Sequence, residues 1–139
     1  MKKNVSKEIF KNRTICITGG AGFIGSHLVK EFNKYNCKII IIDNLSTGRL
    51  ENIKEFLFNK KIKFIQKDLS KIDNLKFILK KVDYVFHLAA LADIVPSIEK
   101  PKKYFDANVV GTFNLLNSLT TKQIRKFIYI ASSTCYGIP

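Results

Sequence analysis

The stretch Thr14-Ile15-Cys16-Ile17-Thr18-Gly19-Gly20-Ala21-Gly22-Phe23-Ile24-Gly25-Ser26-His27-Leu28, TICITGGAGFIGSHL in one-letter code, decides the fold. Four glycines fall within seven residues, after one apolar run and before another. Thr14 to Thr18 is β-branched and reads as a buried strand. From Phe23 to Tyr35 the residues Ile24, Leu28 and Phe32 recur every fourth position, the spacing of a helix facing a core. The glycines thus sit on a strand-to-helix turn. Gly20, Gly22 and Gly25 satisfy G-x-G-x-x-G, and Gly19, Gly22 and Gly25 satisfy the overlapping G-x-x-G-x-x-G. Between a first strand and an amphipathic helix this pattern points to a dinucleotide. One glycine permits the tight turn, another lets a pyrophosphate approach the main chain, and Gly25 lets helix and sheet pack closely. The helix N-terminus then offers unpaired N–H groups and about half a positive charge. Read by themselves, the glycines also fit a plain tight turn.

Outward from this stretch the alternation continues. Lys38 to Ile42, Ile62 to Gln66, Tyr84 to Leu88 and Phe127 to Ala131 read as strands. Leu50 to Phe58 reads as a short helix, and Ser70 to Lys80 as another, with Ser70 as its cap and Ile72, Leu75, Ile78 and Leu79 as its stripe. Pro101 to Thr121 reads as a long helix with Pro in its first turn. Its apolar residues form two lines: Phe105, Val109, Phe113 and Leu116 on one, Tyr104, Leu115 and Leu119 on the other. The first twelve residues read as a polar lead-in, with no apolar core of a secretory signal. Strands alternating with helices predict an α/β fold: a Rossmann-like, doubly wound parallel sheet in order 3-2-1-4-5, one domain over residues 1–139, stopping after its fifth strand.

Asp43 ends the second strand, 18 residues after Gly25, near the spacing of about 20 at which a ribose-binding carboxylate is expected. A carboxylate there accepts from both adenosine hydroxyls and repels a 2′-phosphate, so NAD is favoured over NADP. Asn44, not Arg, follows it. As an alternative, Asp43 merely starts the Asp43-Asn44 turn.

Composition excludes other classes. No apolar run nears the about 20 residues of a membrane helix. The net charge is +13, yet of 24 basic residues only three are arginine, and the lysines are spread along the whole chain. That pattern, with abundant Ile and Asn, fits codon bias better than a nucleic-acid surface. Cys16, Cys37 and Cys135 are odd in number and apart, which argues for reduced thiols, a cytoplasmic protein and no metal site.

Six motifs in order carry a resemblance: TGGAGFIGSHL, DNLSTG (Asp43 to Gly48), Asp68-Leu69, HLAALADIVPS (His87 to Ser97), ANVVGT (Ala107 to Thr112) and ASSTCYG (Ala131 to Gly137). Together they resemble the extended short-chain dehydrogenase/reductase family, closest to its nucleotide-sugar epimerase branch. The resemblance implies a tightly held NAD. It places Gly19, Gly22, Phe23, Ile24, Gly25, Asp43, Asn44, Asp68, Leu69, Leu88, Ala89, Ala90 and Asn108 on that cofactor, with Asp68 and Leu69 flanking the adenine. It implies 4-epimerisation of a UDP-hexose (UDP-glucose or UDP-N-acetylglucosamine) by transient hydride transfer to NAD, and a homodimer for the complete enzyme, formed partly by the helix from Pro101. Alternatives on the same scaffold are a decarboxylase, reductase or dehydratase, or a non-catalytic dinucleotide-binding module. The 4,6-dehydratases carry Asp-Glu where this chain has Thr134-Cys135, which disfavours them. Read without the family, Asp68 fits a helix N-terminal charge, and His87 fits a satisfied core histidine.

The family's chemistry needs a Tyr-x-x-x-Lys pair and a Ser or Thr at the end of strand five. The serine falls on Ser132, with Ser133 and Thr134 as its neighbours. None of Tyr35, Tyr84, Tyr104, Tyr129 and Tyr136 has Lys four residues on. The expectation is therefore the cofactor half of such an enzyme, without its substrate domain and inactive by itself.

Overall fold

The computed structural model describes residues 5–71, 75–119, 124–132 and 136–137. Its centre is a parallel sheet of β1 (Thr14–Thr18), β2 (Lys38–Asp43), β3 (Ile62–Gln66), β4 (Tyr84–His87) and β5 (Lys126–Tyr129). The order is β3-β2-β1-β4-β5, as the alternation predicts. β1 is the middle strand, with Cys16 opposite Ile40 on one side and Val85 on the other.

Alternation along β1 divides the core. Ile15 and Ile17 face one layer with Ile39, Ile41, Val29 and Phe32, while Cys16 faces the other with Ile42, Val85, Leu79 and Leu115. Each fully buried isoleucine contributes roughly 1.5–3 kcal/mol. The first layer is covered by α2 (Phe23–Phe32). The second is covered by α3 (Leu75–Leu79) and by a rod made of α5 (Pro101–Phe105), a π turn (Asp106–Val110) and α6 (Gly111–Asn117).

Several expectations are corrected. The polar lead-in contains a helix, α1 (Val5–Phe10). Phe10 anchors it, with its ring 5.0 Å from those of Phe32 and Tyr84. The segment after β2 forms two short 3-10 turns, Leu50–Asn52 and Lys54–Phe58, with Ile53 buried between them. Ser70 does not cap a helix. It lies in a 3-10 turn, Leu69–Lys71, and its hydroxyl donates to Asp68 Oδ1 at 2.7 Å. Ile72 of the expected stripe lies outside the described residues. A short helix not read from sequence, α4 (Ile94–Glu99), precedes the rod. The rod is interrupted: the Gly111 N–H reaches back five residues to the Asp106 carbonyl. Of its two apolar lines, Leu115 is buried, whereas Phe105, Val109, Phe113 and Leu116 are all about half exposed or more.

Candidate functional site

The C-terminal ends of β1, β2 and β4 open onto a cleft of about 730 Å³. Parallel α/β sheets place ligands at this edge. The glycine turn forms the floor. Gly19 adopts φ +67°, and a Cβ there would lie 2.7 Å from the Ala89 nitrogen. A Cβ on Gly25 would overlap the Gly19 carbonyl oxygen and sit 2.6 Å from Gly20 Cα. The two glycines therefore let β1, α2 and the segment after β4 touch through main chain alone. Gly22, at the N-terminus of α2, gives no side-chain cap. The first-turn amides are left for an anion.

Asp43 closes one end of the cleft. Its carboxylate is buried, and it accepts from Ala21 N–H at Oδ2 (2.9 Å) and from Leu45 N–H at Oδ1 (2.8 Å). Each oxygen keeps a further lone pair for a ligand hydroxyl. Gly48 leaves room beside it, since a Cβ there would lie 2.9 Å from both oxygens. Asn44 is exposed, and its Oδ1 accepts from Ser46 N–H. Asp68 Oδ1 accepts from both the amide and the hydroxyl of Ser70. Partial burial pushes the Asp68 carboxyl up. The Ser70 bonds, Lys71 and Asn44 outweigh it and hold it below the usual carboxylate range.

Of the thirteen residues expected on the cofactor, twelve line this one cleft: Gly19, Gly22, Phe23, Ile24, Gly25, Asp43, Asn44, Asp68, Leu69, Leu88, Ala89 and Ala90. Asn108 does not line it. Its side-chain amide clamps Leu91, accepting from the Leu91 N–H at 2.8 Å and donating to the Leu91 carbonyl at 2.9 Å. Asn108 thus holds the wall in place from behind. Ser132 lies exposed beyond β5 and is not among the lining residues, although Ile130 is. Ser133, Thr134 and Cys135 lie outside the described residues.

His87, at the end of β4, is 1% exposed. Its Nδ1 lies 2.6 Å from Thr18 Oγ1 and its Nε2 lies 2.8 Å from Thr112 Oγ1. Burial holds its pKa down to about 4. It is the satisfied core histidine of the sequence reading, not a ligand of the cleft.

Sequence reading missed Lys67, Lys71, Lys102 and Lys103, which also line the cleft. They bring positive charge to a cleft that Asp43, Asp68 and Asp106 also line, with Lys102 paired to Asp106 at 2.7 Å. Among so many lysines nothing marked these four. Thr47 and Ser46 also line it, and their presence in DNLSTG was the available signal.

A family model described as the NAD dependent epimerase/dehydratase family matches residues 15–139. The UDP-glucose 4-epimerase of Lactobacillus helveticus is 35% identical over 127 residues, covering 90% of this chain and 37% of its own length. Among solved structures, the UDP-N-acetylglucosamine 4-epimerase of Methanobrevibacter ruminantium, in complex with UDP-N-acetylmuramic acid, superposes with a TM-score of 0.83 at 39% identity. That match covers 91% of this chain and 40% of that one. The UDP-glucuronic acid 4-epimerase of Bacillus cereus, in complex with UDP-glucuronic acid and NAD, superposes with a TM-score of 0.81 at 33% identity, covering 89% and 41%. The chain spans about two fifths of the length of these relatives, and less of the longest curated ones.

Proposed function

The chain belongs to the NAD dependent epimerase/dehydratase family, and on that premise we propose that it is the NAD-holding portion of a UDP-hexose 4-epimerase. The observation that carries the reading is the convergence of the glycine floor, the open N-terminus of α2 and the buried Asp43 on one cleft. The residues present fit the cofactor. The α2 amides and the close-packed glycines take a diphosphate, which a Cβ at Gly19 or Gly25 would displace by forcing the main chain apart. Asp43 takes the adenosine ribose hydroxyls with the lone pairs left over from Ala21 and Leu45. Asp68 and Leu69 flank the base. When bound, NAD supplies a hydride acceptor and donor at the sugar C4 position. The half-buried Leu88 and Ala89 border the cleft and limit water there. Ser132 is the group of this chain assigned to hydrogen-bond the sugar 4-hydroxyl.

The exposed line Phe105, Val109, Phe113 and Leu116 supports pairing with a second copy in the complete enzyme. Cys16 and Cys37 are free and buried, which fits a reducing, cytoplasmic setting. Among the described residues no helix is long and apolar enough to cross a membrane.

These 139 residues contain no Tyr-x-x-x-Lys pair, so binding and turnover separate in this chain taken alone. Losing a general base costs roughly 10²–10⁴ in rate, and orientation by a substrate domain contributes several kcal/mol more. The test mixes the purified chain with NAD and UDP-galactose and follows UDP-glucose. NAD binding without turnover is expected. Turnover at ordinary enzyme rates, in a preparation free of host epimerase, would show that another residue serves as the base. An absence of NAD binding would remove the cofactor assignment itself.

A further inference from the structure

We propose that His87, through an Nε2–H donated to Thr112, is a positioning residue that fixes the cleft wall from Leu88 to Leu91. This rests on the cofactor reading only for its consequence on NAD; the positioning itself is a property of the unliganded chain.

The assignment follows from counting hydrogens. Thr112 Oγ1 lies 2.6 Å from the Asn108 carbonyl, which can only accept, so the single hydroxyl hydrogen of Thr112 goes there. Thr112 Oγ1 must then accept from His87, at 2.8 Å, and Nε2 carries the proton. On the other side, Thr18 Oγ1 accepts from the Ala89 N–H at 3.3 Å. Its own hydrogen is free to go to His87 Nδ1 at 2.6 Å. The neutral Nε2–H tautomer satisfies every member of this chain, and among the described residues no buried side-chain nitrogen or oxygen is left without a partner. The other tautomer would leave the bare Nε2 facing a lone pair of Thr112 Oγ1 at 2.8 Å, and the Thr18 hydrogen without His87 as its acceptor. The rings of Phe127 and Tyr129, centred 5.9 and 5.6 Å away, pack against the imidazole and offer no charge.

The chain of bonds has a direction. It starts at the end of β1, crosses His87 on β4, and reaches the π turn through Thr112. Within that turn Asn108 grips both main-chain groups of Leu91. Ala89, whose amide nitrogen faces Gly19, is tied to the same network through Thr18. The cleft wall is therefore held at both ends by one connected set of polar groups, buried at Thr18 and His87 and half-buried at Thr112 and Asn108. π turns inserted in α-helices are often found at functional sites. Here the turn places Asn108 and Thr112 so that one faces Leu91 and the other His87.

Amide hydrogen exchange on the unliganded 139-residue chain tests this. Thr112→Val keeps the shape and removes the acceptor. It should speed exchange at the Leu91 amide by about tenfold or more while leaving the Lys38 and Ile39 amides unchanged. Thr112→Ser should restore protection. A uniform rise, no rise at Leu91, or failure of the serine to rescue would overturn the proposal. His87→Gln, which reaches the Nε2 position, should protect Leu91 better than His87→Asn, which reaches only Nδ1; the reverse order would also overturn it. Nitrogen-15 shifts of the His87 ring should report the neutral Nε2–H form at pH 7, and the Nδ1–H form or an imidazolium would count against it. NAD titration of the unmutated chain separately decides the cofactor reading. Where NAD binds, Thr112→Val should weaken it by about fivefold, through the displaced wall, and Thr112→Ser should not.

Discussion

The two ends of the cleft are built from different material. At the β1–α2–β2 end the recognising groups are main-chain atoms and one carboxylate, packed so closely that no Cβ fits at Gly19 or Gly25. Apart from the Leu88 and Ala89 main chain that packs on Gly19, these groups lie within residues 14–48. At the β4–β5 end the groups are side chains linked across long sequence separations: Thr18 to His87, His87 to Thr112, Leu91 to Asn108. That end also presents apolar surface, from Phe105 to Leu116 on the rod, and Ile130 and Tyr136 beyond β5. The first end is built mainly from contacts close in sequence. The second holds its wall by a polar relay and leaves faces that other atoms can cover.

The largest expected effect comes from breaking the first end. Gly25→Ala puts a methyl into the Gly19 carbonyl, a rigid main-chain group. It should cost about 3 kcal/mol of stability, read by urea unfolding, and abolish NAD binding. Tolerance of the methyl, with binding intact, would mean that the turn is not closed as described.

Next in size is the acid sensitivity of the second end. His87 is held down to about 4 from its usual 6.5 by burial. The unfolded chain therefore binds more protons between those values, and stability falls as pH drops through that window, by up to about 3 kcal/mol. Urea midpoints measured from pH 7 to pH 4.5 should show the decline, and His87→Gln should flatten its upper part. An equal slope in both proteins would assign the acid sensitivity to the carboxylates.

Asp43→Ala should weaken NAD by roughly 1.5–3 kcal/mol, because charge-assisted bonds to the ribose are lost. It also strands the Ala21 and Leu45 amides, so a companion measurement of stability is needed to separate the two losses. Asp43→Asn keeps an acceptor and should lie between. An unchanged NAD affinity in both variants would make Asp43 a turn residue only.

The smallest effect on stability belongs to the rod. Phe113 is 63% exposed, so Phe113→Lys should change stability by no more than about 0.5 kcal/mol. It should nonetheless lower self-association, measured by sedimentation at rising concentration. Association unaffected by the lysine would move the contact elsewhere.

The same contrast explains what could be read from sequence. β-branched runs, the glycine spacing and Asp43 at a strand end are local signals, and they lead to the sheet order, the glycine floor and Asp43; the other lining residues, from Phe23 to Ala90, follow from the family resemblance. The relay was hidden because its partners lie 69 and 25 residues apart. The π turn was hidden because one inserted residue leaves the spacing of Phe105, Val109 and Phe113 looking helical. α1 is hard to read from sequence because its anchor, Phe10, finds ring partners far along the chain, in Phe32, Tyr35 and Tyr84. Ser70 looked like a helix cap, but Asp68 two residues earlier competes for its hydroxyl. The resemblance places Asn108 on the cofactor, and in the structure its side-chain amide bonds the main chain of Leu91, a cleft-lining residue.

The central claim is that the buried Asp43 and the glycine floor select NAD. Calorimetry of the unmutated chain with NAD and then with NADP tests it most directly. One-site binding of NAD is predicted, with NADP weaker by about tenfold or more, because a 2′-phosphate would meet a carboxylate at close range. Equal affinity for the two dinucleotides, or heat from neither, would contradict it.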